Sequence, residues 1–75
     1  MQRMVKAFGL AVRKRRQKLG LSQERLAEIA DIHRTYISSI ELGKVAVGIE
    51  VCYKVAKALK TRLYKLIQEA EKSQG

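Results

Sequence analysis

The sequence predicts an all-α protein of five short helices. Three observations lead there. The apolar residues recur at helical spacing along the whole chain, with no useful run of alternating Val, Ile or Thr. There is no proline among the 75 residues, so no helix interior is interrupted. Gly20, Asp31-Ile32, Gly43 and Lys60-Thr61 punctuate the pattern at intervals that leave room for helices and little else. At this length one domain, 1–75, is expected.

The first helix is predicted over 3–19. Met4 or Val5, Phe8, Val12 and Leu19 form its apolar stripe, and Gly20 ends it in the left-handed conformation. The second is predicted over 23–30 behind Ser22, a good N-cap. Leu21 and Leu26 suit a hydrophobic staple, and Leu26, Ile29 and Ala30 should face inward. Asp31 and Ile32 make the break, where Asp tolerates a positive φ better than most residues.

The third helix is predicted over 33–42, with His33 as its N-cap and Gly43 closing it. Ile37 and Ile40 mark the inner face; Arg34, Thr35, Ser38 and Ser39 mark the outer one. After a loop over 44–48 the fourth helix, 49–59, should bury Ile49, Cys52, Val55, Ala56 and Leu59. The fifth, 62–71, offers Leu63, Leu66, Ile67 and Ala70. The polar tail over 69–75 is expected to fray.

Two charges fall on apolar stripes. Arg16 lies four residues after Val12, and Glu41 four after Ile37. A lone buried charge is expensive, so two of opposite sign on neighbouring helices are expected to pair.

Composition narrows the function. The net charge is +9, and it is uneven: residues 1–20 carry seven bases and no acid, 21–48 carry three bases and four acids, 49–75 carry six bases and three acids. Such a balance favours a polyanion, nucleic acid before membrane. No apolar run approaches a bilayer span, and no apolar signal-peptide core is expected at the start. Cys52 is the only cysteine; it excludes an internal disulfide and fits a reducing cytoplasm. One histidine without a second ligand builds no metal site, and no cofactor is expected. A Gly-rich phosphate loop, paired carboxylates and a supported Cys–His spacing are all missing, which argues against an enzyme.

Two short helices joined by a tight turn make a helix-turn-helix, whose second helix is presented to a major groove. Ser22-Gln23, Leu26-Ala27, the turn, Ile37-Ser38-Ser39-Ile40-Glu41 and Gly43-Lys44 resemble the Cro/phage-repressor-type transcriptional regulators, over about residues 5–67. The phrase Arg34-Thr35-Tyr36-Ile37-Ser38 is most similar to controller proteins of restriction–modification systems. The resemblance implies a compact, lambda-repressor-like five-helix DNA-binding domain.

It also implies roles. Gln23 matches a glutamine that contacts backbone phosphate, and Lys44 a phosphate-contacting loop position. Arg34, Thr35, Ser38 and Ser39 match base-facing positions, where an arginine suits the O6 and N7 of guanine. Tyr36 flanks them, either with its hydroxyl on a phosphate or packed over the second helix. Arg16 and Glu41 match a buried ion pair of the family. The sequence departs from the pattern at Val45-Ala46-Val47-Gly48, where polar residues are usual; the two valines belong to a dimer contact or are singly exposed. Arg13, Lys14, Arg15 and Lys18 run round the first helix, so only some can face DNA.

One recognition helix reads half a site, so a homodimer on palindromic double-stranded operator DNA is expected, its two helices roughly 34 Å apart. Val51, Leu63, Tyr64 and Ile67 are the expected dimer interface. Leu63 and Leu66 also serve the monomer core. Bound near a promoter, the dimer would block RNA polymerase or help to recruit it. An antitoxin or a phage-type repressor, whose same domain also holds a protein partner, is the competing reading.

Overall fold

The computed structural model describes residues 2–74. Five helices follow in order: α1 (Gln2–Lys18), α2 (Gln23–Ala30), α3 (Arg34–Glu41), α4 (Ile49–Ala58) and α5 (Leu63–Gln74). The expected order and number hold, with ends shifted by a residue or two. The exception is the C-terminus, where α5 carries the supposedly frayed tail as helix to Gln74; Gly75 lies outside the described residues.

One backbone device closes each of the first four helices. A residue with positive φ follows the helix, and two reversed hydrogen bonds satisfy the last carbonyls. Gly20 (φ 71°) donates to the Gln17 carbonyl while Leu21 donates to Arg16. Asp31 (φ 57°) and Ile32 repeat this on Glu28 and Ala27, Gly43 (φ 70°) and Lys44 on Ile40 and Ser39. Lys60 (φ 57°) and Thr61 do so on Lys57 and Ala56. Glycine was legible as a stop at two of these sites. Asp31 and Lys60 hold the same conformation with a side chain attached. At the other ends, Ser22 accepts from the Arg25 amide at 3.0 Å, and His33 Nδ1 accepts from the Thr35 amide at 3.1 Å, both as the caps expected.

All five helices contribute to one core, in which Val12, Leu26, Ile37, Ile40, Val55 and Leu59 are fully buried. α1 lies between α3 and α5; α2 packs on α3 and α4, and α4 on α5. Three predicted core positions are corrected. Leu19 lies beyond the end of α1, turned out to solvent by the reversal at Gly20. Ile29 is 46% exposed, because the buried stripe of α2 runs through Leu26, Ala27 and Ala30 and Ile29 sits about 100° from its middle. Ile49 is 73% exposed; it opens α4, where Gly48 and Glu50 are exposed too and no described residue covers its side of the first turn. Val45 and Val47, by contrast, pack half-buried against the core, so the loop before α4 is anchored by the residues that looked out of place there.

The crossing of α1 and α3 depends on Gly9. A Cβ there would lie 2.0 Å from the Ile40 carbonyl oxygen and 3.0 Å from that of Glu41. Glycine in a helix interior costs about 1 kcal/mol relative to alanine. Here it lets the last turn of α3 rest directly on the α1 backbone.

Candidate nucleic-acid interface

The last turn of α3 is fixed a second time by charge. Arg16 Nε donates to Glu41 Oε2 at 2.6 Å and Nη2 to Oε1 at 3.0 Å, a two-pronged pair. Arg16 Nη1 donates to the Leu21 carbonyl at 2.8 Å, tying the α1–α2 turn into the same knot. Glu41 is 7% exposed and is the buried charged residue among those described. Its hydrogen bonds hold the Arg16 guanidinium above its usual pKa against the opposing effect of burial. The pairing expected from two charges on apolar stripes is therefore present, and it satisfies both partners.

Gln23, the first residue of α2, joins this knot: its Nε2 donates to Glu41 Oε1 at 3.0 Å. An amide NH2 has two protons, so one remains to donate elsewhere. Arg13, Gln23, Ser38 and Leu42 surround the Arg16–Glu41 pair at the rim of a hollow of about 180 Å³.

Pinning Ile37, Ile40 and Glu41 inward sets the direction of every other residue of α3. At 100° per residue, Thr35 and Ser39 point away from the buried side. Thr35 is exposed and Ser39 half-buried. Arg34 is exposed at the start of α3, beside a shallow depression bearing Glu24, Glu28 and Asp31. Lys44 is exposed just after Gly43. Tyr36 is half-buried with its ring against the core, which favours the packing role over a freely offered hydroxyl. Ser38 lies on the flank of α3, next to Glu41 and not opposite it.

Not all expectations gather here. Arg15, one of the basic residues circling α1, is engaged elsewhere: its Nε donates to the Leu59 carbonyl at 3.0 Å and its Nη2 to the Lys60 carbonyl at 3.1 Å. It caps the end of α4. Arg13, by contrast, shares the flank of α1 that carries Gly9 and Arg16. That grouping was legible from spacing, since 9, 13 and 16 fall within about 60° on a helix. On α4 and α5, Val51, Leu63 and Ile67 are half-buried against the core, while Tyr64 is exposed with Arg62 6.0 Å from its ring centre. The other open large apolar side chains of these helices are Ile49 and Tyr53.

A family model described as helix-turn-helix matches residues 12–66, which take in α2, α3 and α4 whole with the end of α1 and the start of α5. The chain belongs to that helix-turn-helix family. It is 49% identical over 53 residues to the control protein C.BamHI of Bacillus amyloliquefaciens, covering 69% of this chain and 65% of the relative. It is 46% identical over 56 residues to the control protein C.SmaI of Serratia marcescens, covering 75% and 67%. Among solved structures, the restriction-modification controller protein C.AhdI of Aeromonas hydrophila superposes with a TM-score of 0.81 at 34% identity, over 83% of this chain and 94% of that one. The helix-turn-helix family consists of DNA-binding transcriptional regulators, not enzymes, and this chain is a member with control proteins as relatives. No helix among the described residues is long and apolar enough to cross a membrane.

Proposed function

We propose that this protein is a sequence-specific regulator of transcription that binds a palindromic operator in double-stranded DNA as a homodimer, in the manner of a restriction–modification controller. One observation carries the reading. α3 is held inward by Ile37, Ile40 and Glu41 and so presents Thr35 and Ser39 outward with Arg34 at its leading end. A helix fixed this firmly can enter a major groove without reorganising, and each good base contact there contributes about 1–3 kcal/mol of discrimination. Arg34, Thr35 and Ser39 read bases, with Tyr36 behind them. Gln23, through its spare amide proton, and Lys44 grip the phosphate backbone.

The second copy docks through α4 and α5. Val51, Leu63, Tyr64 and Ile67 form this contact, joined by the open side chains of Ile49 and Tyr53. Acting in the cytoplasm, the bound dimer excludes RNA polymerase from a promoter or helps to seat it. The control-protein relatives favour this reading over an antitoxin or a phage-type repressor.

Selection of duplexes from a random pool by the purified protein, followed by titration of the winner and of an unrelated duplex, tests it. A palindrome should emerge. Arg34→Ala should weaken binding to that palindrome by roughly 10- to 100-fold, with little change on the unrelated duplex and no change in thermal stability. Gln23→Ala should weaken both duplexes alike and leave the salt dependence unchanged, because the amide carries no charge and displaces no counterion. Equal affinity for selected and random DNA at physiological salt would end the proposal.

A further inference from the structure

We infer that Arg13 and Ser38, together with Gln23, form a seat for one backbone phosphate, so that Ser38 serves as a phosphate ligand and not as a base reader. The inference rests on the DNA-binding reading above. It extends that reading to Arg13, a residue with no role so far, and changes the role that family resemblance gives Ser38.

The hollow between α1 and α3 is lined by Arg13, Arg16, Gln23, Ser38, Glu41 and Leu42 and measures about 180 Å³. Two of these residues are spent. Glu41 accepts at both oxygens, from Arg16 and from Gln23, and the Arg16 guanidinium is divided between Glu41 and the Leu21 carbonyl. The opposite charges of the pair cancel, leaving the floor of the hollow close to neutral.

The rim is different. Arg13 is exposed and has no acidic partner among the described residues. The Ser38 hydroxyl is half-buried and makes no hydrogen bond to any described residue. The second amide proton of Gln23 is unused, and the bond to Glu41 fixes which way the amide faces, since a carboxylate repels the amide oxygen. Three donors of different residues thus surround one small hollow, with a single uncompensated positive charge among them. A tetrahedral oxyanion with several acceptors and one charge matches that set of three donors converging on one small hollow.

The direction of Ser38 agrees. It lies about 60° from Glu41 round α3, whereas Thr35 and Ser39 lie on the side opposite Ile37. Ser38 therefore faces the groove wall on the α1 side when α3 lies in the groove. Glu41 acts here as a positioning residue: it orients Gln23 and never meets DNA.

The test uses Arg13→Ala, Arg13→Lys and Ser38→Ala in the full chain. Binding is measured on the selected palindrome and on an unrelated duplex across salt concentrations. Arg13→Ala should weaken both duplexes by the same factor, roughly tenfold near 0.1 M salt, and flatten the dependence of log K on log salt by about 0.9. Arg13→Lys should restore most of the slope. Ser38→Ala should weaken both duplexes by a smaller common factor and leave the palindrome's sequence preference unaltered. A scan of single neutral methylphosphonates along the palindrome should find one position per half-site that weakens the native protein but not Arg13→Ala. Loss confined to the palindrome would make these residues base readers, and an unchanged salt slope would remove Arg13 from the interface; either result overturns the inference. Should the protein prefer no sequence at all, the proposed function falls, while the slope on unrelated DNA still decides the fate of Arg13.

Discussion

The junction of α1 with α3 and the outer side of α4 and α5 are built on opposite terms. At the junction the buried charges are fully satisfied. Gly9 brings backbone against backbone, Arg16 and Glu41 satisfy each other and Leu21, and Gln23 is drawn in from a third helix. On α4 and α5, Ile49, Tyr53 and Tyr64 are large, apolar and open. The first arrangement fixes direction to within the play of a short bidentate pair. The second leaves apolar area that water covers unless another surface does. A recognition helix must be aimed before DNA arrives, whereas a self-association face has to be incomplete in the single copy. In the proposed function one small chain does both by keeping the two at different helices.

The largest expected effect tests the first half of that contrast. Glu41→Ala leaves Arg16, whose side chain is 12% exposed, with a charge that only the Leu21 carbonyl answers, and it frees Gln23. Removing one partner of a buried pair costs about 3–5 kcal/mol. Against a total stability of about 5–15 kcal/mol for a domain, that should lower the thermal midpoint by well over ten degrees. DNA binding should fall further than the folded fraction accounts for, since α3 loses its aim. A midpoint within two degrees of the native value would mean that Gly9 and the core alone hold the junction.

The second half is tested by Ile49→Ser with Tyr53→Ser. Both side chains are exposed, so the folded single copy should keep its helicity. Self-association measured by sedimentation should weaken by about 2 kcal/mol or more, roughly thirtyfold. Operator affinity should fall with it, while contacts of a single copy to unrelated DNA persist. Unchanged association would place the contact elsewhere and show that open apolar side chains on α4 are merely tolerated.

What the sequence reveals follows the same division. The five helices, the caps at Ser22 and His33 and the Arg16–Glu41 pair were all legible, because each depends on local spacing or on a charge placed where only a partner explains it. The outward placement of Thr35 and Ser39 followed from Ile37 and Ile40. Ile29 and Ile49 were misjudged because an apolar residue at the edge of a stripe is buried only if a neighbour reaches it, and neighbours are not written in local spacing. Gly9 went unread for a related reason. Inside a helix its only signal is the absence of a side chain, and its purpose lies 31 residues further on, at the Ile40 carbonyl. The fate of Arg15 was invisible too. Among the basic residues 13–16 and 18, nothing local separates the one that caps α4 from those that face solvent.

The smallest expected effect concerns that cap. Lys60 holds the left-handed conformation that Gly20 and Gly43 hold at the corresponding ends of α1 and α3. For a residue with a Cβ this conformation costs about 1–2 kcal/mol, of which the greater unfolded freedom of glycine takes back about 0.5–1. Lys60→Gly should therefore stabilise the fold by about 0.5 kcal/mol, a rise of a few degrees in thermal midpoint at fixed protein concentration. Arg15 bonds to backbone carbonyls and not to the Lys60 side chain, so it survives the change. Asp31→Gly, at the other left-handed site with a side chain, should give less, because Asp enters this region more readily than Lys. The ordering is the sharper measurement. If Lys60→Gly destabilises while Asp31→Gly does not, the Lys60 side chain contributes something beyond its backbone, and the turn between α4 and α5 is a worked part of the apolar face and not a plain corner.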